Sequence, residues 1–369
     1  MKGGTTSQVL ERSRLAELLR ALGNSVIVYA PVASREPEHV VELEPVAGPG
    51  ARQGAMESVT LEYANTRHSP KRLFFPQTET MFRYDNDALA GSAPASGAIA
   101  AEAPGIVAFG VRPCDALALT YLDKIFAPGL TSYGDPYYTR RRERSTVVAF
   151  ACSAPCGSCF CTAVGRGPAG TQGADVLVTS ISGGRLCFEA VTDKGSALLE
   201  TGASLWSRAD GATKREVEAA HAAAAKAVPA LATPEGRVDR DAVKARMDKG
   251  FEDPIWNRLT ESCIGCGACT YLCPTCHCFD IADEQHHYQG RRIRTWDSCQ
   301  YPQFTRHASG HNPRPARKHR LRQRFMHKFS YTVEKSGDIY CVGCGRCVVH
   351  CPVNLDIREV IRAFSAPGA

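Results

Sequence analysis

The chain has 369 residues, of which 44% are hydrophobic and 22% are charged. Those proportions are typical of a globular protein with room for two domains, and they exclude a disordered chain. The formal net charge is +6, and 17 residues are cysteine. No run of residues has the length and apolar content of a membrane span, and the start lacks the pattern of a signal peptide. We therefore expect a cytoplasmic protein with reduced thiols, whose clustered cysteines indicate metal binding.

The first two hundred residues predict an α/β domain. Residues 1–23 predict a short surface helix, and residues 115–126 have the spacing of a second helix. Residues 174–192 read as a hairpin that turns at Gly183 and Gly184. Three apolar runs, too continuous for half-exposed strands, predict buried parallel strands: 25–32, 105–111 and 145–151. The Ala-, Gly- and Ser-rich stretch 88–104 predicts a mobile loop.

Five cysteines follow two of the predicted strands, at the point where each strand ends. Cys114 comes after the run 105–111, and the run 145–151 is followed by Cys152, Cys156, Cys159 and Cys161. If those strands are parallel neighbours, both loops emerge at the carboxyl edge of the sheet, where open α/β sheets bind ligands. A site built from two such loops could hold a third metal cluster. The alternative is a set of buried structural cysteines.

A helical linker is predicted at 213–250. It begins with an Ala-rich helix over 213–228, which ends before Pro229, and a second helix is predicted over 238–250. We therefore expect an α/β domain at 1–254, including the linker. A cysteine-rich domain at 255–369 follows, with a basic insertion at 279–338.

Two copies of one cysteine pattern lie in the second domain. Each copy has the spacing C-x2-C-x2-C-x3-C-P of bacterial two-cluster ferredoxins. In that pattern the fourth cysteine ligates the other cluster, so the expected ligand sets are crossed. They are Cys263, Cys266, Cys269 and Cys351 for cluster 1, and Cys341, Cys344, Cys347 and Cys273 for cluster 2. Zinc is the alternative, but structural zinc sites use separated pairs of ligands. The sequence predicts two [4Fe–4S] clusters in a ferredoxin-like α+β domain with a long insertion.

The insertion adds three more cysteines close to the motifs: Cys276, Cys278 and Cys299. They could form a further site or pack as small apolar side chains, and the sequence favours packing. The insertion is also basic, and Asp297 is the only acidic residue within 291–328. The basic residues of that stretch are Arg291, Arg292, Arg294, Arg306, Arg314, Arg317, Lys318, Arg320, Arg322, Arg324 and Lys328. These residues could form a solvated face, balance the charge of the clusters or dock an acidic electron partner. Nucleic-acid binding is disfavoured because no recognition motif accompanies the charge.

Several stretches resemble one family of iron–sulfur proteins. They are "FGVRPCDALAL", "CFCTAVG", "CIGCGACTYLCPTCHCFD", "TWDSCQYPQF", "GHNPRPARKHRLRQRFMHKFSY" and "CVGCGRCVVHCPV". Together they resemble the iron–sulfur beta subunit of cytosolic sulfhydrogenases and the related A subunit of anaerobic sulfite reductases. The resemblance implies that a third [4Fe–4S] cluster is held by Cys114, Cys152, Cys159 and Cys161, with Cys156 outside the pattern.

The resemblance also implies partners. A flavoprotein subunit with FAD would handle NAD(P)H, or ferredoxin would take its place. A hydrogenase, a sulfite reductase or another redox subunit would be the catalytic partner. The chain itself has no G-x-G-x-x-G after a strand, so we expect a non-catalytic electron-transfer subunit. The alternative is an iron–sulfur reductase with its own small-acceptor site near Cys276, Cys278 and Cys299.

Overall fold

The computed structural model describes residues 6–34, 40–85, 104–128, 133–233 and 236–365. The loop predicted at 88–104 lies outside those ranges apart from its last residue. The strands are β1 (Ser7–Glu11), β2 (Ile27–Ala33), β3 (Val41–Ala47), β4 (Thr78–Asp85), β5 (Ile106–Val111), β6 (Ser145–Phe150), β7 (Val176–Ile181), β8 (Arg185–Ala190), β9 (Ser207–Arg208), β10 (Phe279–His286) and β11 (Gln289–Trp296).

The helices follow the same chain order. They are α1 (Leu15–Gly23), α2 (Lys71–Phe74), α3 (Pro113–Phe126), α4 (Pro136–Glu143), α5 (Asp193–Glu200), α6 (Gly211–Ala227), α7 (Arg240–Lys249), α8 (Ile255–Thr260), α9 (Ala268–Tyr271), α10 (Arg317–Met326), α11 (Thr332–Ser336), α12 (Arg346–Val349) and α13 (Ile357–Ser365). A π-helical turn, His327–Tyr331, joins α10 to α11. Within the described ranges, no helix is both long enough and apolar enough to cross a membrane.

A large mixed sheet forms the centre of the first half of the chain. Its eight strands, counted over the described residues, lie in the order β3-β2-β5-β6-β7-β8-β1-β9. The pairs β2–β5, β5–β6 and β6–β7 are parallel, and β7–β8 is antiparallel. These pairings confirm the predicted parallel strands and the hairpin. Gly183 and Gly184 both have positive φ at its turn, at 71° and 69°.

Helices cover both faces of this sheet, which explains why its central strands are apolar throughout. Val107 and Phe109 of β5 pack with α1 and α5 on one face. Ile106 and Ala108 pack with α3 and α4 on the other. Because successive side chains of a strand point to opposite faces, a strand covered on both sides has to be apolar at every position. The predicted α/β domain is confirmed.

The predicted N-terminal surface helix was wrong in part. Residues 7–11 form β1, which pairs with β8 in the register Leu10↔Leu186. Only the following segment is helical, and α1 buries Leu15, Leu18, Leu19 and Leu22 in the core. The strand was missed because its partner lies far along the chain, and a short segment carries no local sign of such a pairing.

A second core joins the remaining elements. It contains Trp256, Phe325 and Phe329 together with residues of α7 and α13. Phe160, from the loop after β6, is buried in the same core. The predicted linker helix 238–250 therefore exists as α7 and packs with the second half. The boundary at residue 254 and the ferredoxin-like arrangement stay predictions.

The insertion contains a hairpin that returns to the first half of the chain. β10 and β11 pair in antiparallel fashion, and β11 also pairs with β4. The base of the hairpin is the pair Phe279↔Trp296, so the hairpin brings the residues on either side of it together. Cys278 and Cys299 flank that base, and this position matters below.

Candidate metal centres

The first cysteine motif begins in the loop between α8 and α9 and continues through α9. Cys263, Cys266 and Cys269 line one cavity. Cys351, the last cysteine of the second motif, lines the same cavity, as does Cys347. The structure therefore brings together the four thiols that the crossed pattern assigns to cluster 1.

The walls of this cavity are largely apolar. Leu321, Val353, Leu355 and Ile357 line it together with the backbone of the first motif. The backbone N–H of Leu355 donates a hydrogen bond to Cys351 Sγ at 3.2 Å. N–H donors of this kind stabilise thiolate ligands and help to set a cluster's reduction potential. The chemistry of the donor set fits a [4Fe–4S] group.

The second motif packs directly against the cysteine loop of the first half. Gly343 and Gly345 have φ of 65° and 75°, in the left-handed region that glycine adopts readily. A Cβ at Gly343 would lie 2.6 Å from the backbone of Cys161, and one at Gly345 would lie 2.6 Å from Ser158 O. The N–H of Phe160 donates to Gly343 O at 2.8 Å. Both glycines are therefore required by a close backbone approach.

Cys273 lies beside the second motif, as the crossed pattern requires. Lys328 Nζ donates to Cys273 Sγ at 3.2 Å and to the carbonyl of Tyr340, the residue before Cys341, at 3.0 Å. Cys273 also lies close enough to Cys341 and Cys344 for its charge to raise the pKa of both thiols. Cys347 also lies near both Cys341 and Cys344, so the four thiols of the second expected ligand set lie near one another.

Burial acts strongly on these thiols. It raises the pKa of Cys269, Cys341 and Cys344 to about 12. A buried thiol is neutral unless a nearby positive charge compensates the thiolate, and iron supplies that charge when it binds. Ligation at these positions must therefore release protons.

The cysteines of the first half form a third group. β5 and β6 are parallel neighbours, and they deliver Cys114 and Cys152 to the same edge of the sheet. Cys152 lies close enough to Cys114 for its charge to raise the pKa of the Cys114 thiol. Cys114 acts on the pKa of Cys159 in the same way. Cys161 also has Cys152 as a neighbour. The structure therefore brings the four predicted residues of the third site together.

Cys156 also belongs to this group in space. Cys156 Sγ lies 2.8 Å from Cys159 Sγ. The charge of Cys156 also raises the pKa of the Cys152 and Cys161 thiols. The third group thus offers five thiols where the resemblance implied four. The choice of Cys152 over Cys156 as a ligand stays a prediction.

The third group adjoins the second motif. Asn65 Nδ2 donates to Cys344 O at 2.9 Å, and Asn65 Oδ1 lies 3.8 Å from Cys114 Sγ. Cys159 Sγ lies 3.9 Å from the same carbonyl of Cys344. No pattern in the sequence indicates Asn65, because it lies in an irregular segment without cysteines.

A buried ion pair fixes the contact between these two groups. Arg346 Nη1 and Nη2 each lie 2.6 Å from a carboxylate oxygen of Asp115. The two side chains are 2% and 1% exposed. Arg346 follows the second motif's Gly345, and Asp115 follows Cys114, so the pair holds the two loops in register. This bidentate geometry is the strong form of an arginine–carboxylate contact.

Much of the basic insertion is buried rather than solvated. Arg294 is buried against Glu79 and Asp135, with which it forms ion pairs. The α10 side chains of Arg320, Arg322 and Arg324 are buried as well. Arg324 lines the first cavity and has Cys269 and Cys347 as electrostatic neighbours. Positive charge is therefore carried into the region of the thiols, as the charge-balance hypothesis requires.

Cys276, Cys278 and Cys299 lie close to the second group. The thiol of Cys276 lies beside that of Cys273, and the thiol of Cys278 lies beside that of Cys299. Among the described residues, no three Cys, His, Asp or Glu side chains converge as a single metal ion requires. In an iron–sulfur cubane each thiolate binds a different iron, so its ligands stand farther apart.

Comparison with known proteins agrees with this geometry. Residues 262–355 match the family model of a 4Fe-4S dicluster domain, which spans both motifs and the insertion. The chain is therefore an iron–sulfur protein with two [4Fe–4S] clusters, of the kind that transfers electrons. It is also 30% identical to Sulfhydrogenase 2 subunit beta of Pyrococcus furiosus over 311 residues, which is 83% of this chain and 86% of that protein. The chain belongs to the family of sulfhydrogenase beta subunits.

Proposed function

We propose that this chain relays electrons between an NAD(P)H-oxidising flavoprotein subunit containing FAD, or a ferredoxin, and a catalytic partner. A hydrogenase or a sulfite reductase is the class of partner considered. The observation that carries the proposal is the contact between the three thiol groups. The second motif contributes to the first cavity through Cys351, and its backbone packs against the loop 152–161. The name of the relative, a subunit of a sulfhydrogenase, supports a hydrogenase partner.

The proposed ligand sets follow from that arrangement. Cluster 1 is held by Cys263, Cys266, Cys269 and Cys351, and cluster 2 by Cys341, Cys344, Cys347 and Cys273. A third [4Fe–4S] cluster is held by Cys114, Cys152, Cys159 and Cys161. When bound, such clusters supply one-electron carriers whose potentials depend on charge, hydrogen bonds and solvent exposure.

The chain's own side chains support a relay in two ways. Arg346, Asp115 and Asn65 hold the second motif against the loops of the first half, so the distance between the second and third groups is fixed. The apolar core residues around the motifs exclude water. The half-buried first motif has Cys266 exposed, together with the neighbouring Ile264. That side of the molecule would be the contact surface for a redox partner.

The ligand sets are tested by iron analysis of the anaerobically purified chain. Clusters 1 to 3 together require about twelve iron atoms and as many labile sulfides per chain. Replacing Cys114 and Cys159 with Ser should remove about four of each. Cys187→Ser is the matched control, because Cys187 is buried in β8 with no thiol among its electrostatic neighbours. An unchanged count in the double variant would remove the third cluster.

The relay itself is tested in the complex that carries the chain. Cys269→Ser disrupts the first proposed ligand set and should stop NAD(P)H-dependent reduction of the catalytic partner. Oxidation of NAD(P)H by an artificial dye and the partner's own dye-linked activity should persist, since each bypasses this subunit. Full electron flow in a variant shown to lack the cluster would contradict the proposal.

A further inference from the structure

Three cysteines outside the proposed ligand sets converge at the base of the insertion hairpin. We call Cys276, Cys278 and Cys299 the hairpin thiols. Cys278 precedes β10, and Cys299 follows β11, so the antiparallel pairing of the two strands brings them together. The N–H of Asp297 donates to Cys278 O at 3.0 Å and continues that pairing beyond the strands. The Cys278 and Cys299 thiols lie beside each other, and Cys276 lies near Cys278.

Thiol contacts of this kind accompany the proposed ligands elsewhere in the molecule. Cys159, a ligand of the proposed third cluster, contacts Cys156 with 2.8 Å between their sulfurs. Cys273, a ligand in the two-cluster pattern, contacts Cys276. The hairpin thiols therefore lie among other thiols, as the proposed ligands Cys159 and Cys273 do. Cys187 offers the contrast, since its charged neighbours are Glu189 and Lys214 and it has no thiol nearby.

A buried lysine faces the hairpin thiols. Lys71 is 3% exposed, and its Nζ donates to the carbonyls of Cys273 and Cys276, each at 2.9 Å. It also lies 4.2 Å from the centre of the Trp296 ring. The thiols of Cys276, Cys273 and Cys278 are its anionic electrostatic neighbours.

Within the ranges that the structure describes, no carboxylate pairs with this positive charge. Lys71, Arg324 and Lys328 are each 3% exposed, and none of them forms an ion pair with an acidic side chain of the described residues. Arg324 Nε is buried without any hydrogen-bond partner among those residues. A charge removed from water is costly unless an opposite charge accompanies it. Arg324 and Lys328 lie beside Cys269, Cys347 and Cys273, so the two clusters of the dicluster domain supply their counter-charge. Lys71 also faces Cys276 and Cys278, which belong to neither ligand set.

We propose that Cys276, Cys278 and Cys299 hold a further iron–sulfur cluster, in addition to the two of the dicluster domain and the proposed third. Each thiol loses its proton on binding iron, and the resulting anionic group is the counter-charge that Lys71 lacks. The fourth iron of a cubane held in this way has no cysteine of its own. This differs from the packing role that the sequence favoured, since packing gives no reason for a buried cation without a carboxylate.

The test is iron and labile-sulfide analysis of the anaerobically purified full chain, with spectroscopy. The unmodified chain should hold about sixteen iron atoms instead of about twelve. Replacing Cys278 and Cys299 with Ser should remove about four iron atoms and one paramagnetic signal on reduction. Cys187→Ser should remove none. Lys71→Met keeps every thiol and should lower the midpoint potentials of that signal and of the cluster that Cys273 ligates, because Lys71 faces both.

The outcomes separate this inference from the proposed function. Twelve iron atoms, unchanged on replacing Cys278 and Cys299 but reduced by replacing Cys114 and Cys159, would overturn the inference and leave the proposed third cluster intact. The reverse pattern would support the inference and remove the third cluster. If the variant lacking Cys278 and Cys299 loses all of its iron, the iron count of the unmodified chain decides. Sixteen iron atoms would support the further cluster. Twelve iron atoms, four of which are lost on replacing Cys114 and Cys159, would overturn it.

Discussion

Removing the charge of Lys328 is expected to lower the reduction potential of the cluster that Cys273 ligates. Lys328 Nζ lies 3.2 Å from Cys273 Sγ. Burial alone would lower the pKa of Lys328, but the thiolates of Cys273 and Cys276 raise it above its usual value, so the ammonium stays charged. Reduction adds negative charge to the cluster, and a neighbouring cation therefore favours the reduced state. Lys328→Met removes the charge and keeps the length of the side chain.

The size of the shift follows from the distance. With the charge about 5 Å from the centre of the cluster and an effective dielectric constant of about 20, the interaction is worth about 3 kcal/mol. For one electron, about 1.4 kcal/mol corresponds to about 59 mV, so the full loss is about 140 mV. Water that enters beside the Met side chain would offset part of this fall in potential. We expect the midpoint to fall by about 100 mV.

The assay is a redox titration followed by electron paramagnetic resonance, after the iron content of each variant has been measured. Lys328→Arg retains the charge and should leave the midpoint within about 30 mV of the original. Lys226→Met is the control for a remote charge, because Lys226 is exposed on α6. A midpoint in Lys328→Met that is unchanged or higher, with full iron content, would refute the electrostatic reasoning.

Three further predictions concern the contacts between the thiol groups. Arg346→Met leaves Asp115 buried without its partner, so the protein should lose about 3–5 kcal/mol of stability, measured as a lower thermal midpoint of the holoprotein. Gly343→Ala places a Cβ 2.6 Å from the backbone of loop 152–161 and should reduce iron content, measured per chain. Burial raises the pKa of Cys341 to about 12. Reconstitution of the apoprotein with iron and sulfide should therefore be more complete at about pH 8.5 than at about pH 7, as read from visible absorbance, because ligation releases protons.

The sequence alone predicts those parts of the fold and of the site whose pattern lies within a short stretch of the chain. Continuous apolar runs predicted β2, β5 and β6, and these strands are parallel neighbours as expected. The spacing of the two motifs predicted that Cys351 would join Cys263, Cys266 and Cys269, and the four line one cavity. The reason is that covalent spacing and burial on both faces of a sheet leave their signature within a few residues.

Long-range partners could not be predicted in this way. β1 depends on pairing with β8, and the pair formed by Arg346 and Asp115 joins residues 231 positions apart. The position of Cys156 beside Cys159 follows from the conformation of a loop, which the spacing of its cysteines does not define. Such contacts are set by the whole fold, and a single sequence carries no local trace of them.

The length of the insertion has a physical explanation in the charges it carries. The two motifs are separated by residues that form the hairpin β10–β11 and then α10, and α10 and the turn after it return Arg324 and Lys328 to the thiols. A short loop would close the ferredoxin pattern but would supply no buried cation. Because anionic clusters in an apolar core need counter-charge, and because the entropy cost of a loop grows only slowly with its length, a long insertion that carries basic residues inward is a stable solution. The same charges then offer a means of setting each cluster's potential, which is why Lys328→Met is the most direct test of the insertion's role.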